Sequence, residues 1–187
     1  NNSSNNSDGN VTLVGTRAFN MIWEDVCSEV YGNDLDKTFE ELNLLVPDLE
    51  ILNETLKSFV EKPMWYVEHQ IPFVCGSPLR LDGLSIKSQN INIYDAKYYN
   101  ISFHDKKVLG QPGINDINKN YLYELTFKKI INLNQLKVEN QFIMPKDDFV
   151  EDGKVIAHVN LEMFNSLGLQ PIGIVLRDCQ TMFNQYL

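Results

Sequence analysis

A change of hydrophobic period at Pro63 constrains this chain more than any other feature. Before it, Phe19, Ile22, Trp23, Val26 and Val30 follow the i, i+3, i+4, i+7, i+11 series, which lays one apolar stripe along a helix. Thr16 is placed to cap that helix and Gly32 to end it. Leu35, Phe39, Leu42 and Leu45–Val46 repeat the stripe behind Asp34 until Pro47. Leu49, Leu52, Leu56, Phe59 and Val60 repeat it behind Asp48 until Pro63. A helix with one apolar face needs a partner surface, so the first third predicts a helical layer.

After Pro63 the period becomes two. Leu79, Leu81, Leu84 and Ile86 read as a strand with a turn or bulge at Asp82-Gly83, followed by Ile91, Ile93, Tyr99, Ile101 and Phe103 in extended form. Tyr121, Tyr123, Leu125 and Phe127 share one face of the next predicted strand. Leu136, Val138, Phe142 and Met144 alternate with polar residues, as do Val155, Ala157, Val159, Leu161 and Met163 with theirs, and Ile172, Ile174 and Leu176 close the series. Turn clusters at Gly110–Gly113, Pro145–Asp148 and Glu151–Gly153 separate these runs. Consecutive strands with short links predict an antiparallel meander, and long strands curl as their twist accumulates. The expected fold class is α+β, with N-terminal helices packed on a long, highly curved antiparallel β-sheet. The expected organisation is a low-complexity glycosylatable tail over 1–15 and a single helix-plus-sheet binding domain over 16–187.

The net charge of −9 argues against a nucleic-acid partner, which asks for a basic footprint. No apolar run is long enough to span a bilayer, so no membrane span is expected. The chain begins at Asn1 and not at Met, which reads as a mature or trimmed product. Sequons begin at Asn1, Asn2, Asn5 and Asn10 in the polar tail, and at Asn53 and Asn100 in the body. They predict a secreted glycoprotein. Cys27, Cys75 and Cys179 lack CxxC spacing, so an oxidising compartment implies one bridge and one leftover thiol. Cys27 lies beside the first helical stripe and Cys179 follows the last strand, where a cross-link would restrict the unfolded chain most. The expected pair is Cys27–Cys179, leaving Cys75 buried and free.

Catalytic signatures are not evident. Gly76-Ser77-Pro78 is no nucleophile elbow. His69, His104 and His158 lack zinc spacing, and the acids Asp147, Asp148, Glu151 and Asp152 lack the order of a calcium loop. The expectation is therefore a non-enzymatic protein with no cofactor and no metal. Its aromatic residues, with Met21, Met144, Met163 and Met182, suit an elongated apolar interior of the kind that lines small-molecule sites.

Ile71-Pro72 followed by Ser77-Pro78-Leu79-Arg80-Leu81-Asp82-Gly83-Leu84-Ser85-Ile86 resembles the entry to the first strand of arthropod juvenile-hormone-binding and takeout-like proteins. These belong to a tubular lipid-binding group that includes mite group 7 allergens. The resemblance spans Glu68 to Phe164 and implies a curled sheet around a helix and a hydrophobic ligand. Those proteins carry a long C-terminal helix, so here the N-terminal helices would have to supply the cover. The leading expectation is a secreted carrier of a hydrophobic, lipid-like small molecule. The alternative is a glycosylated protein-interaction module with a protein partner. If the sheet wraps an apolar space, its lining is expected from Tyr123, Leu125, Phe127, Val138, Phe142, Val159, Leu161 and Met163, faced by Ile22, Trp23 and Val26.

Overall fold

The computed structural model describes residues 19–146 and 152–187. Thr16, the sequons at Asn1, Asn2, Asn5 and Asn10, and the acids Asp147, Asp148 and Glu151 lie outside the described residues. Helix α1 (Phe19–Tyr31) forms where the first stripe predicts it and buries Trp23, Val26 and Cys27. Gly32 then turns the chain at a φ of 82°, a left-handed conformation that glycine adopts without steric cost.

The next two stripes are core but not helix. Leu35, Phe39, Leu44, Leu56 and Val60 are buried in one cluster, yet their backbone runs through turns, a 3-10 turn at Leu49–Ile51 and one antiparallel bridge between Thr38 and Thr55. Local hydroxyl bonds divert the chain. The Thr38 hydroxyl accepts from Glu41 N at 3.1 Å while Glu41 Oε2 accepts from Thr38 N at 2.7 Å. That exchange starts a helix elsewhere, but here Asn43 at a φ of 51° stops it within a turn. Thr55 holds Ser58 N in the same way at 3.1 Å.

Two short strands, β1 (Met64–Trp65) and β2 (Phe73–Val74), pair as a separate antiparallel hairpin. The main sheet begins with β3 (Gly83–Lys87) and β4 (Asn90–Ala96), an antiparallel pair. A second small hairpin, β5 (Ser102–His104) with β6 (Lys107–Leu109), leads to α2 (Ile114–Asn134). Strand β7 (Lys137–Pro145) returns parallel to β4. Strand β8 (Val155–Val159), the short helix α3 (Glu162–Asn165), β9 (Ile172–Arg177) and α4 (Cys179–Tyr186) complete the chain. The sheet order is β3-β4-β7-β9-β8, with β7 and β9 parallel and β8 antiparallel to β9.

The fold is therefore α+β, but its sheet is mixed and open, not a curled antiparallel meander. Two of its neighbouring pairs are parallel, and a parallel pair needs a crossover. α2 is that crossover. The segment Tyr121–Phe127, expected as a strand, lies inside it. Its apolar stripe was hard to see because Asn120 and Glu124 are buried within it, while Leu122, Leu125 and Leu133 face outward. Glu124 is paired on both oxygens: Asn140 Nδ2 on β7 donates to Glu124 Oε2 at 3.0 Å and to the Asn120 backbone carbonyl at 3.1 Å, and Gln170 N donates to Glu124 Oε1 at 2.9 Å. Burial raises the Glu124 pKa. Asn140→Ala is expected to cost about 1–3 kcal/mol, because it strips a partner from a buried carboxyl; urea denaturation with an unchanged m-value would measure it.

Both sheet faces are covered. On one side α2 packs Tyr123, Phe127 and Ile130 against Ile91 and Ile93 of β4, and Tyr121 against Phe142 and Ile174. On the other, α1 and α4 pack Trp23, Val26 and Met182 against Tyr94, Ala96, Ile143 and Val175. The Trp23 indole N–H donates to the Ile143 carbonyl at 3.1 Å, tying α1 to β7. Cys27 and Cys179 share this second layer, and the described residues contain no disulfide. The thiol of Cys27 is pushed to a higher pKa by burial. Cys75, expected to be buried, is exposed.

Candidate active site

The β3–β4 hairpin brings two aspartates together. Gly83 pairs with Tyr94 across the antiparallel ladder, so Asp82, one residue before Gly83, faces Asp95, one residue after Tyr94. Asp82 is fixed to the facing strand one residue further on: its Oδ2 accepts from the backbone N–H of Ala96 at 3.0 Å. Position 83 must be glycine for this register. A Cβ there would lie 2.0 Å from the Tyr94 ring, which crosses the glycine to donate its hydroxyl to the Gly32 carbonyl at 3.1 Å.

Strand alternation does the rest. Ile91, Ile93, Asp95 and Lys97 follow a period of two and point toward α2, while Tyr94 and Ala96 point toward α1. Asp95 is fully buried at the end of this apolar row. Lys97 Nζ stands 2.7 Å from Asp95 Oδ2 and 3.2 Å from Asp116 Oδ1 on α2. Lys119 Nζ, one turn further along α2, stands 3.0 Å from Asp95 Oδ1. Asp116 also accepts from Gly113 N at 3.3 Å, so it fixes the start of α2 as it meets Lys97. Tyr123, a turn beyond Lys119, donates its hydroxyl to the Arg80 carbonyl and holds the strand that leads into Asp82.

The electrostatics follow from crowding. Burial, then the charge of Asp95, pushes the Asp82 carboxyl up to about 7, against the opposing pull of Lys119 and Lys97. Burial alone would lower the pKa of Lys97 and of Lys119, but Asp95 outweighs it and raises both. Asp82 also borders a cleft of about 650 Å³ lined by Glu24, Ser28, Asn33, Lys57 and Arg80 among others. Arg80 reaches Glu24 at 3.8 Å.

The donors here are carboxylate oxygens, the set that hard cations such as Mg²⁺ take. No group of three or more His, Cys, Asp or Glu is gathered for a metal among the described residues. Mg²⁺ does not need one, since it keeps several waters and uses one or two carboxylates plus substrate phosphate oxygens. Asp95 Oδ2 also fits: it is buried and, despite its ionic contact with Lys97, has no aligned hydrogen bond. Asp82 and Asp95 are thus the residues that would hold such an ion.

The residues expected to line an apolar tunnel are not brought together. Tyr123, Phe127 and Val138 belong to one cluster, Phe142, Val159 and Leu161 to a second, and Trp23 and Val26 to a third across the sheet. Ile22, Leu125 and Met163 are exposed. Asn53 and Asn100 are on the surface. The sequence held a signal for this candidate constellation: an acid and a lysine two apart at the end of the apolar run Ile91–Tyr94, with a second acid at the mouth of the preceding strand.

The family model described as LlaJI restriction endonuclease matches residues 1–179. The chain is 29% identical over 183 residues to the Type II restriction enzyme BsuMI component YdjA of Bacillus subtilis (strain 168), a match that covers 95% of the chain and 34% of that protein. The chain thus spans about a third of the length of this relative. No solved structure matches it. These findings overturn the kinship with juvenile-hormone-binding and takeout-like proteins, and with it the secreted lipid carrier, the non-enzymatic interaction module and the exclusion of nucleic acid. The charge argument failed because it averaged over the chain. Residues 24–61 hold eleven acids against two lysines, whereas residues 79–146, which build the site, hold ten lysines and arginines against six acids. A phosphate backbone meets the local field, not the sum.

Proposed function

We propose a phosphodiester-hydrolysing role, proceeding from the fact that the chain belongs to the LlaJI restriction endonuclease family. The substrate class is DNA, and the site is Asp82, Asp95 and Lys97. The observation that carries this reading is their arrangement: two opposed aspartates at one end of a hairpin, and a lysine two residues past the second on the same face. Hydrolysis of a phosphodiester needs an attacking water, neutralisation of charge growing on the phosphoryl oxygens, and a proton for the leaving oxygen.

A dication held by Asp82 and Asp95 would supply Lewis acidity toward the phosphoryl oxygens. The chain's own groups do the positioning. Asp95 is locked by β4 and by two ammonium groups. Lys97, whose backbone N–H donates to the Ile143 carbonyl at 2.9 Å, holds a proton and a positive charge at the edge of the site, where it can orient a water or a phosphate oxygen. Asp116 keeps that ammonium in place from the helix side.

The test is cleavage of supercoiled plasmid with Mg²⁺ or Mn²⁺. Lys97→Met is expected to reduce cleavage by about 10²–10³-fold, the range for losing one electrostatic stabiliser, while leaving the protein folded by circular dichroism. Wild-type protein that never cuts DNA with either ion, or a Lys97→Met variant that cuts normally, would refute this assignment.

A further inference from the structure

Asp95 has two ammonium partners, and they are held differently. Lys97 sits just past the end of β4, bonds Asp95 and Asp116 together, and is the more enclosed, with 15% of its side chain exposed. Lys119 sits on α2, bonds Asp95 alone among the ion pairs of the described residues, and has 28% of its side chain exposed. Its other neighbour is the face of the Tyr123 ring, 5.5 Å from the ammonium, a cation–π contact that leaves the head group able to turn.

We infer that Lys119 is an exchangeable counter-ion: it neutralises Asp95 while no metal is bound, and passes to a DNA phosphate when a dication takes its place on the carboxylate. This deepens the nuclease reading and rests on it. The charge accounting motivates the exchange. A fully buried carboxylate must be fully compensated; Lys97 divides its charge between Asp95 and Asp116, so in the metal-free site Lys119 completes the neutralisation of Asp95. A dication beside two ammonium groups would be repelled, so one ammonium must withdraw. Lys97 keeps Asp116 and stays; among the described residues Lys119 has no second carboxylate within ion-pair distance. On a helix at the rim of the same site, its freed ammonium finds the next anion in the substrate backbone. Lys119 is thus a positioning residue that couples metal occupancy to DNA grip.

The experiment measures Ca²⁺ binding by thermal stabilisation and DNA binding by fluorescence anisotropy. The DNA probe is a duplex of about 25 base pairs, titrated across a range of KCl in EDTA and in Ca²⁺. Lys119→Met is expected to bind Ca²⁺ about tenfold more tightly than wild type, since a competing charge is gone. Its salt slope for DNA binding should match wild type in EDTA and fall by about one in Ca²⁺, the signature of one lost phosphate contact. Lys119→Arg should restore both properties, and Lys119→Gln serves if the methionine variant fails to fold. Unchanged Ca²⁺ affinity in the variant, or an equal loss of slope with and without Ca²⁺, would overturn the exchange while leaving the nuclease assignment intact. Absence of any Ca²⁺ stabilisation in wild type, or its survival in Asp82→Asn, would defeat the metal site itself and the inference with it.

Discussion

Asp82→Asn is expected to make the metal-free protein more stable at pH 8 while abolishing the proposed DNA cleavage. The folded carboxyl titrates near 7, above its ordinary 3.8, chiefly from burial and then from Asp95. A carboxyl whose folded pKa is raised contributes stability that is fully present below its unfolded pKa and is lost as pH rises through the folded one. Wild-type stability should therefore fall between about pH 4 and pH 7, by about 4 kcal/mol if Asp82 alone titrates, at 1.36 kcal/mol per unit. Asparagine keeps an oxygen for the Ala96 N–H but carries no charge, so the variant should lose this pH dependence. Cleavage should drop by about 10³-fold or more, because several kcal/mol of charge stabilisation at the phosphoryl group goes with the dication. Melting curves from pH 4 to 8 in EDTA, paired with plasmid cleavage in Mg²⁺, separate the two effects. A wild type whose melting temperature does not fall across that range would show that Asp82 is not strained by its neighbours.

Gly83→Ala should be a strongly damaging single-methyl change. The added Cβ falls 2.0 Å from Tyr94 Cζ and hydroxyl and 2.5 Å from Cε2. The ring is fully buried and tethered to Gly32, so it cannot swing aside as a flexible chain end would. The cost is expected at the upper end of overpacking, about 3 kcal/mol, and it should come with lost cleavage because the displaced ladder parts Asp82 from Asp95. Tyr94→Leu in the same chain removes the obstruction. The double variant should recover stability relative to the sum of the two single changes, a coupling of about 1–3 kcal/mol in a double-mutant cycle. Strict additivity in guanidinium unfolding would mean that the ring is not what enforces glycine.

Much of the molecule was legible one element at a time. The stripe Phe19–Val30 predicted α1, and the alternation around Ile91 and Ile93 predicted extended chain where β4 lies. The core residues between Leu35 and Val60 were also identifiable, though not their backbone path. Turns there are set by hydroxyl bonds of Thr38 and Thr55 that a hydrophobic pattern does not record. α2 was misread because its buried face carries Asn120 and Glu124 and its outer face carries leucines, so binary pattern and burial disagree over those residues. The tubular reading followed from that error: without a crossover helix, every strand had to pair with its neighbour in sequence.

The sequence by itself determined which residues share a strand face, because that depends only on a local period of two. It thereby placed Asp95 and Lys97 on one side of β4, next to Ile91 and Ile93. Only the tertiary structure decided what that side meets. The parallel pairing of β4 with β7 requires α2 to cross the sheet, and this crossing carries Asp116 and Lys119 to Asp95 from residues more than twenty positions away in the chain. Ion pairs between distant segments depend on where the backbone closes, and closure is fixed by burial summed over the whole sheet. No local window contains that sum.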